Sequence, residues 1–149
     1  MTQSLPINAE FISALLAEDE VGSVIRSHLY VEVQVSAFLE LACCLGFDAK
    51  FRGALKRIGK LRNSFAHDLS LSLSQRVVSD LYNGLPKFAQ KAIHSSVDIL
   101  HQMCKAVPQP SKYAQLSPKM QFVLIALTLE RVCFAACELV RESKGSDVS

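Results

Sequence analysis

The 149-residue sequence predicts an all-α protein, a bundle of five or six helices in one domain. Apolar residues recur at three- and four-residue steps along most of the chain, and the strict alternation typical of strands is scarce. Glycine or proline stands where several of these segments end. Half of the residues are apolar and a fifth are charged, as in compact domains. We expect one helical domain over 1–149, with flexible ends at 1–7 and 143–149.

The first two helices are predicted from their caps and their apolar spacing. Asn8 can cap a first helix. The apolar side of that helix consists of Phe11, Ile12, Leu15 and Leu16. A second helix is expected to start at Gly22 or Ser23 and to run to about Leu45. Gly46 then stands where a left-handed C-terminal residue is expected.

The third helix is predicted from about Asp48 to Ala66. Its apolar stripe has helical spacing and consists of Phe51, Ala54, Leu55, Ile58, Leu61 and Phe65. Lys56 and Lys60 lie one turn apart on the opposite side, with Arg52 a turn before them. Six of the 16 basic residues fall in this helix, namely Lys50, Arg52, Lys56, Arg57, Lys60 and Arg62.

Two shorter patterns predict the next helices. Ser72 and Gln75 have capping-box spacing, which predicts a short fourth helix ending near Gly84. Pro86 can begin a fifth helix, expected to run to about Val107.

The last helix is predicted to open with Ser117 as its N-cap and Pro118 in its first position, and to end near Glu142. The fourth helix has little polar face, so we predict no helix-turn-helix reader. No signal peptide and no convincing membrane span appear, which predicts a cytoplasmic protein without membrane contact. A net charge of +2 excludes a binder of the histone type.

No metal site and no cofactor are expected. The five cysteines contain no CxxC pair, and we expect them to be small, buried core residues in a reducing compartment. They are Cys43, Cys44, Cys104, Cys133 and Cys137. The remaining histidines lack neighbours at metal-ligand spacing and are expected to be ordinary surface or interface residues; they are His28, His94 and His101.

The segment from Arg62 to His67 closes the basic helix and contains Asn63. On an ideal helix Arg62 and His67 are about 140° and about 7.5 Å apart. They converge only if the helix unwinds near Ala66 or if the long arginine side chain sweeps round. Asp68 and the loop after it predict a helix end here, with His67 on the last turn.

Two interpretations of these groups stay open. They could bind and cleave a phosphodiester. They could equally lock a helix end into the bundle, with Arg62 paired to Glu40 or Glu32 of the preceding helix and His67 capping carbonyl groups.

The text from Leu55 to Asp68, with Arg62, Asn63 and His67, resembles the HEPN superfamily of α-helical domains. Its signature is an arginine, a polar residue that is often asparagine, a few more residues and a histidine. The segment is still more similar to the mannitol operon repressor-like family, in which a pattern I-x-K-[IL]-R-N-x-F-A-H recurs. The specific similarity covers about residues 24–75.

The resemblance implies a helical bundle that often dimerises, with two such motifs facing each other. In active HEPN ribonucleases cleavage is metal-independent. His67 would then act as general acid or base, Arg62 would clamp the phosphate, and Asn63 would orient either. Leu69 departs from the tyrosine found in many HEPN toxins. Backbone attraction would come from Arg52, Lys56, Arg57 and Lys60.

The leading expectation is a regulator or repressor-like protein that acts through a protein partner, or through RNA or DNA, without a helix-turn-helix. A homodimer is expected, and apolar residues of the second and last helices suggest its interface: Val31, Val35, Val132 and Phe134. The alternative is a metal-independent endoribonuclease of toxin or defence type. An enzyme must present Arg62 and His67 to solvent, whereas a regulator can bury Arg62 against Glu40.

Overall fold

A computed structural model describes residues 9–27, 43–46, 48–68, 70–103 and 112–145. All regular structure in these ranges is helical, so the predicted all-α bundle is confirmed. The helices are α1 (Ala9–Ala17), α2 (described over 20–27), α3 (Lys50–His67), α4 (Gln75–Asn83), α5 (Lys87–Ser95), α6 (Val97–Met103) and α7 (Pro118–Gly145), with a 3-10 turn at Tyr113–Gln115. Within the described ranges, no helix combines the length and the apolar character that crossing a membrane requires.

Helix α7 is the centre of the packing, and α1, α4 and α5 each lie against it. Its residues 121–129 are all buried, because neighbours cover this stretch on every side. The helix begins as predicted: the Met120 backbone N–H donates to Ser117 Oγ at 3.3 Å, and Pro118 is the first helical residue. It continues to Gly145, beyond the predicted end at Glu142. The predicted flexible end therefore begins inside the helix.

The apolar stripe of α3 is confirmed. Four of its six residues, Phe51, Ala54, Ile58 and Phe65, are buried. Leu55 and Leu61 are partly buried against the same core. The basic side of α3 therefore faces away from the core.

The start of α2 was predicted too late. The helix begins at residue 20, and the Gly22 backbone N–H donates to Asp19 Oδ1 at 2.7 Å, so Asp19 caps this end. Ser23 is buried instead, and its Oγ donates to the Leu15 carbonyl at 2.9 Å. Gly46 has a φ of +103°, the left-handed conformation predicted for it. Asn8 and residues 28–42 lie outside the described residues.

Two further boundaries differ from prediction. Ser74, rather than Ser72, caps α4 by accepting from the Val77 backbone N–H at 3.2 Å, while Gly84 closes the helix as predicted. The predicted fifth helix is two helices, α5 and α6, separated at Ser96. Residues 104–111, with the predicted helix end at Val107, lie outside the described part.

Candidate nucleic-acid interface

Helix α3 concentrates the positive charge of the protein. It holds six of the 16 basic residues and none of the 14 acidic ones. Ten basic and 14 acidic residues remain elsewhere, so the rest of the chain is net acidic. The small net charge of +2 is therefore the sum of one strongly positive helix and a negatively charged remainder.

Five polar residues of α3 form one line along its exposed side. At 100° per residue they fall within about 80° of rotation, opposite the buried face, and the line is about 22 Å long. All five are exposed. We call this line the basic stripe; it consists of Arg52, Lys56, Lys60, Asn63 and His67.

Lys56 and Lys60 are the open cations of the basic stripe. Within the described part of the chain, neither ammonium group has a hydrogen bond or a carboxylate within ion-pair distance. Because α3 has no acidic residue, no neighbour on their own helix neutralises them. Both groups are therefore accessible to an external anion.

Arg62 lies at the edge of the buried face, and it is half-buried. Its Nη2 donates to Asn63 Oδ1 at 3.0 Å. The guanidinium therefore contacts one residue of the basic stripe. The sequence allowed two routes by which Arg62 could approach His67, and a sweep of the long arginine side chain is the first.

The other route does not occur, because α3 stays helical through His67. The Asp68 backbone N–H donates to the Ser64 carbonyl at 3.0 Å, which completes the last turn. His67 is exposed on the predicted last turn, one turn beyond Asn63. Within one chain, His67 shares a face with Lys56 and Lys60 rather than with Arg62.

The Asp68 carboxylate forms hydrogen bonds within the loop that follows α3. It accepts hydrogen bonds from the Ser70 hydroxyl and from the Ser70 backbone N–H, the latter at 3.0 Å. These two bonds, the hydroxyl first, hold the pKa of Asp68 below its usual value. The loop acid therefore stays ionised and orders the chain that follows His67.

Arg57, predicted among the phosphate-binding residues, lies outside the basic stripe. Its Nη1 donates to the Asp80 carbonyl at 3.4 Å. Its guanidinium covers Gly84 so closely that a Cβ there would lie 1.8 Å from Nη1. Arg57 therefore joins α3 to the corner between α4 and α5.

An aromatic cluster between α4, α5 and the 3-10 turn has no counterpart in the sequence prediction. Tyr82 Oη and His94 Nε2 are hydrogen-bonded at 2.8 Å. The ring of Tyr113 stacks on Tyr82 at 5.0 Å and meets His94 edge-on at 5.4 Å. Burial raises the pKa of Tyr113, and the Tyr82 phenol raises it further. The cluster joins α4, α5 and the 3-10 turn, and its residues are too far apart in sequence to give a local signal.

Histidines 94 and 101 differ in their surroundings. His94 is exposed as predicted, but His101 is buried within the chain, so a surface position is wrong for that residue. His101 Nε2 has no hydrogen-bond partner in the described part. His28 lies outside it.

The cysteine prediction holds only in part. Cys133 is buried, whereas Cys44 is exposed, contrary to prediction. Burial raises the pKa of the Cys133 thiol to about 12, with smaller contributions from Cys137 and Glu130. Cys104 lies outside the described residues. In the ranges that the structure describes, no group of three or more potential ligands could hold a metal ion.

Several predicted partners cannot be placed. Glu32, Glu40, Val31 and Val35 lie outside the described residues. Of the suggested dimer residues on α7, Val132 belongs to the core of the chain itself, while Phe134 is 43% exposed.

Searches of protein-family models, curated proteins and solved structures returned no match for this chain.

Proposed function

We propose that this protein is a repressor-like regulator whose basic stripe binds the phosphate backbone of a nucleic acid. The observation that carries the proposal is the acid-free helix α3, with three of its six cations, Arg52, Lys56 and Lys60, in one exposed line. The resemblance of Leu55–Asp68 to the mannitol operon repressor-like family supports a regulatory role. A regulatory protein partner is also part of the proposal, since the same resemblance implies a regulator.

Binding at the basic stripe follows from counterion release. Lys56 and Lys60 exchange water for phosphate oxygens, and the nucleic acid releases the cations condensed around it. The rigid helix spaces successive side chains of the line about 6 Å apart. Such contacts fix position and affinity without reading base sequence, in line with the prediction that the chain has no helix-turn-helix reader.

The test is the salt dependence of binding, measured by fluorescence anisotropy with labelled oligonucleotides between 50 and 200 mM salt. In Lys56→Ala/Lys60→Ala, the slope of log K against log salt concentration should become shallower by about 1.4 for single strands, since each lost contact removes about 0.7. The control, Arg141→Ala/Lys144→Ala, removes the same charge from exposed positions at the end of α7. Equal slopes in the stripe variant and the wild type would contradict the proposal.

A metal-independent endoribonuclease is the second candidate. It is favoured by the 3.0 Å bond from Arg62 Nη2 to Asn63 Oδ1, since Asn63 lies on the face of α3 that holds His67. His67 would act as acid or base at the ribose 2′-OH, and Arg62 would stabilise the charge on phosphate. Cleavage of RNA in EDTA, absent with DNA and lost in His67→Ala and Arg62→Ala, would favour the enzyme. Intact RNA at saturating protein would favour the regulator.

Assembly as a homodimer is part of the proposal, since the resemblance implies it. The exposed ring of Phe134 on α7 offers an apolar contact. Light scattering should give twice the chain mass of 16.4 kDa for the wild type. A monomer at high micromolar concentration would remove the dimer from the proposal.

A further inference from the structure

We infer that the exposed side of α5 is the docking surface for the regulator's protein partner, and that the partner supplies an acidic segment with apolar side chains. This inference rests on the proposed function, of which it names the partner's chemistry. It starts from Phe88, which is 58% exposed and is the most exposed of the large apolar side chains in the described part. Leaving such a side chain in water forgoes stabilisation that burial would provide.

The ring of Phe88 is held in place from below. Its centre lies 5.6 Å from that of the Phe51 ring, with an angle of 63° between the planes. Phe51 belongs to the core, so this edge contact fixes the outer ring while more than half of the Phe88 side chain stays open to solvent. A side chain ordered before binding loses little freedom on association, and aromatic anchors of this kind contribute most to the affinity of protein interfaces.

Two lysines flank the ring on the same side of α5. At 100° per residue, Lys87, Phe88 and Lys91 fall within about 100° of rotation. This side lies opposite the buried Ala89 and Ile93. Both lysines are exposed, and within the described ranges neither ammonium group has a hydrogen bond or a carboxylate within ion-pair distance. One ligand can therefore contact the ring and both cations, because all three side chains stand on one face of a short helix.

The two helices that meet at the ring contain no carboxylate. Helix α5 has no acidic residue, and neither has α3, which Phe51 joins to it. No acid of either helix therefore offsets the charges of Lys87 and Lys91. An uncharged partner would leave both cations without a counter-charge, whereas an acidic partner complements them.

A protein segment fits this surface better than a membrane does. One ring and two lysines are too few to hold a helix at a bilayer, where binding strength grows with the apolar area inserted. A protein segment can pack an apolar side chain on the ring of Phe88 and place carboxylates beside it within a few residues. The surface therefore selects segments in which acidic and apolar residues are mixed.

The test is the selection of a random-peptide library on the immobilised protein. Enriched peptides should be rich in aspartate and glutamate and should contain aromatic or large aliphatic residues. An enriched peptide is then labelled and titrated by fluorescence anisotropy. Phe88→Ala should weaken its binding about 30-fold, as truncation of a central interface residue does. Lys87→Ala/Lys91→Ala should weaken it less and make it less sensitive to salt.

Two variants serve as matched controls, and circular dichroism checks that every variant is folded. Leu71→Ala removes another exposed apolar side chain, in the loop after α3. Lys56→Ala/Lys60→Ala removes the same charge as the α5 variant, but from the basic stripe. Both controls should bind the peptide like the wild type.

The outcomes separate this inference from the proposed function. The inference is overturned if no peptide is enriched, if the enriched peptides lack acidic residues, or if Phe88→Ala binds them like Leu71→Ala. It is also overturned if the stripe variant loses the peptide, or if Phe88 supports binding to phosphatidylserine vesicles and not to acidic peptides. In all these cases the salt-dependent binding of nucleic acid would stand. Peptide binding that requires Phe88, in a protein without salt-dependent nucleic-acid binding, would instead overturn the proposed role of the basic stripe and leave the docking surface intact.

Discussion

The side chain of Gln121 provides the sharpest test of how this bundle is held together. It is 2% exposed on α7. Its Nε2 donates to the Tyr113 carbonyl at 3.0 Å, and its Oε1 accepts from Gln75 Nε2 at 2.8 Å. One amide thus joins α7 to the 3-10 turn and to the first residue of α4.

Replacing Gln121 with Leu removes both hydrogen bonds, but each of the two partners has another hydrogen-bonding partner. The Tyr113 carbonyl still accepts from the Leu116 backbone N–H at 3.1 Å, and Gln75 is exposed and can bond to water. At about 1 kcal/mol for each net hydrogen bond, we expect Gln121→Leu to lower the free energy of unfolding by about 1–2 kcal/mol.

The unusual expectation concerns the exposed partner. Gln75→Ala leaves the buried Oε1 of Gln121 without its donor, which costs about 1–3 kcal/mol. Exposed positions ordinarily change stability by less than about 0.5 kcal/mol. Once Gln121 is Leu, the buried acceptor Oε1 is absent, so the loss of Gln75 leaves no buried acceptor without a donor. The double variant should therefore be no less stable than Gln121→Leu alone.

Urea unfolding followed by circular dichroism measures these differences, since a chain of this size ordinarily unfolds in one cooperative step. The control is Gln102→Ala, the same substitution at an exposed glutamine of α6 whose side chain has no hydrogen bond in the described part. The reasoning is refuted if Gln75→Ala matches this control, or if the double variant loses the full stability of both single variants.

Two further predictions concern Gly84 and Cys133. Gly84 has a φ of −76°, which alanine adopts freely, so Gly84→Ala should only displace the Arg57 guanidinium. The free energy of unfolding should stay within about 0.5 kcal/mol of wild type in urea unfolding. A loss above about 1.5 kcal/mol would contradict this and would show that the contact of Arg57 with the corner stabilises the fold. The Cys133 thiol keeps its proton in the fold up to a pKa of about 12, while the unfolded chain releases it near 9.0. Below pH 9 the thiol keeps its proton in both states, so the contribution of the raised pKa to stability is fully present. Above pH 9 only the unfolded chain releases the proton, and the free energy of unfolding therefore falls by up to about 1.4 kcal/mol per pH unit. Unfolding series from pH 8 to 10.5 should therefore decline less steeply in Cys133→Ala, and parallel declines would disprove the assignment.

Local patterns were enough for much of the fold. The buried side of α3 follows from the three- and four-residue spacing between Phe51 and Phe65, because one helix alone determines which residues share a face. Ser117 and Pro118 act within a single turn at the start of α7, and so does Gly46 after the helical residues 43–44. Each of these features was predicted from neighbours only a few residues away.

Errors arose where two local solutions were nearly equivalent. Ser72 and Ser74 can both cap a helix, and the choice depends on where the loop from α3 enters the core. Leu73 decides it: this residue is buried, and its backbone N–H donates to Glu20 Oε2 at 2.7 Å. That contact fixes the chain one residue before Ser74. A residue 53 positions away in sequence therefore settles a boundary that the local pattern left open.

The same distinction applies to the candidate site. The residues of α3 alone were enough to predict a basic, amphipathic helix on which Arg62 and His67 point in different directions, because these properties depend only on residue types and helical rotation. The contact of Phe88 with Phe51 and the position of Arg57 over Gly84 exist only in the folded chain. Those contacts join residues more than 20 positions apart, and their geometry is set by how α4 and α5 pack around α7 rather than by the residues next to them.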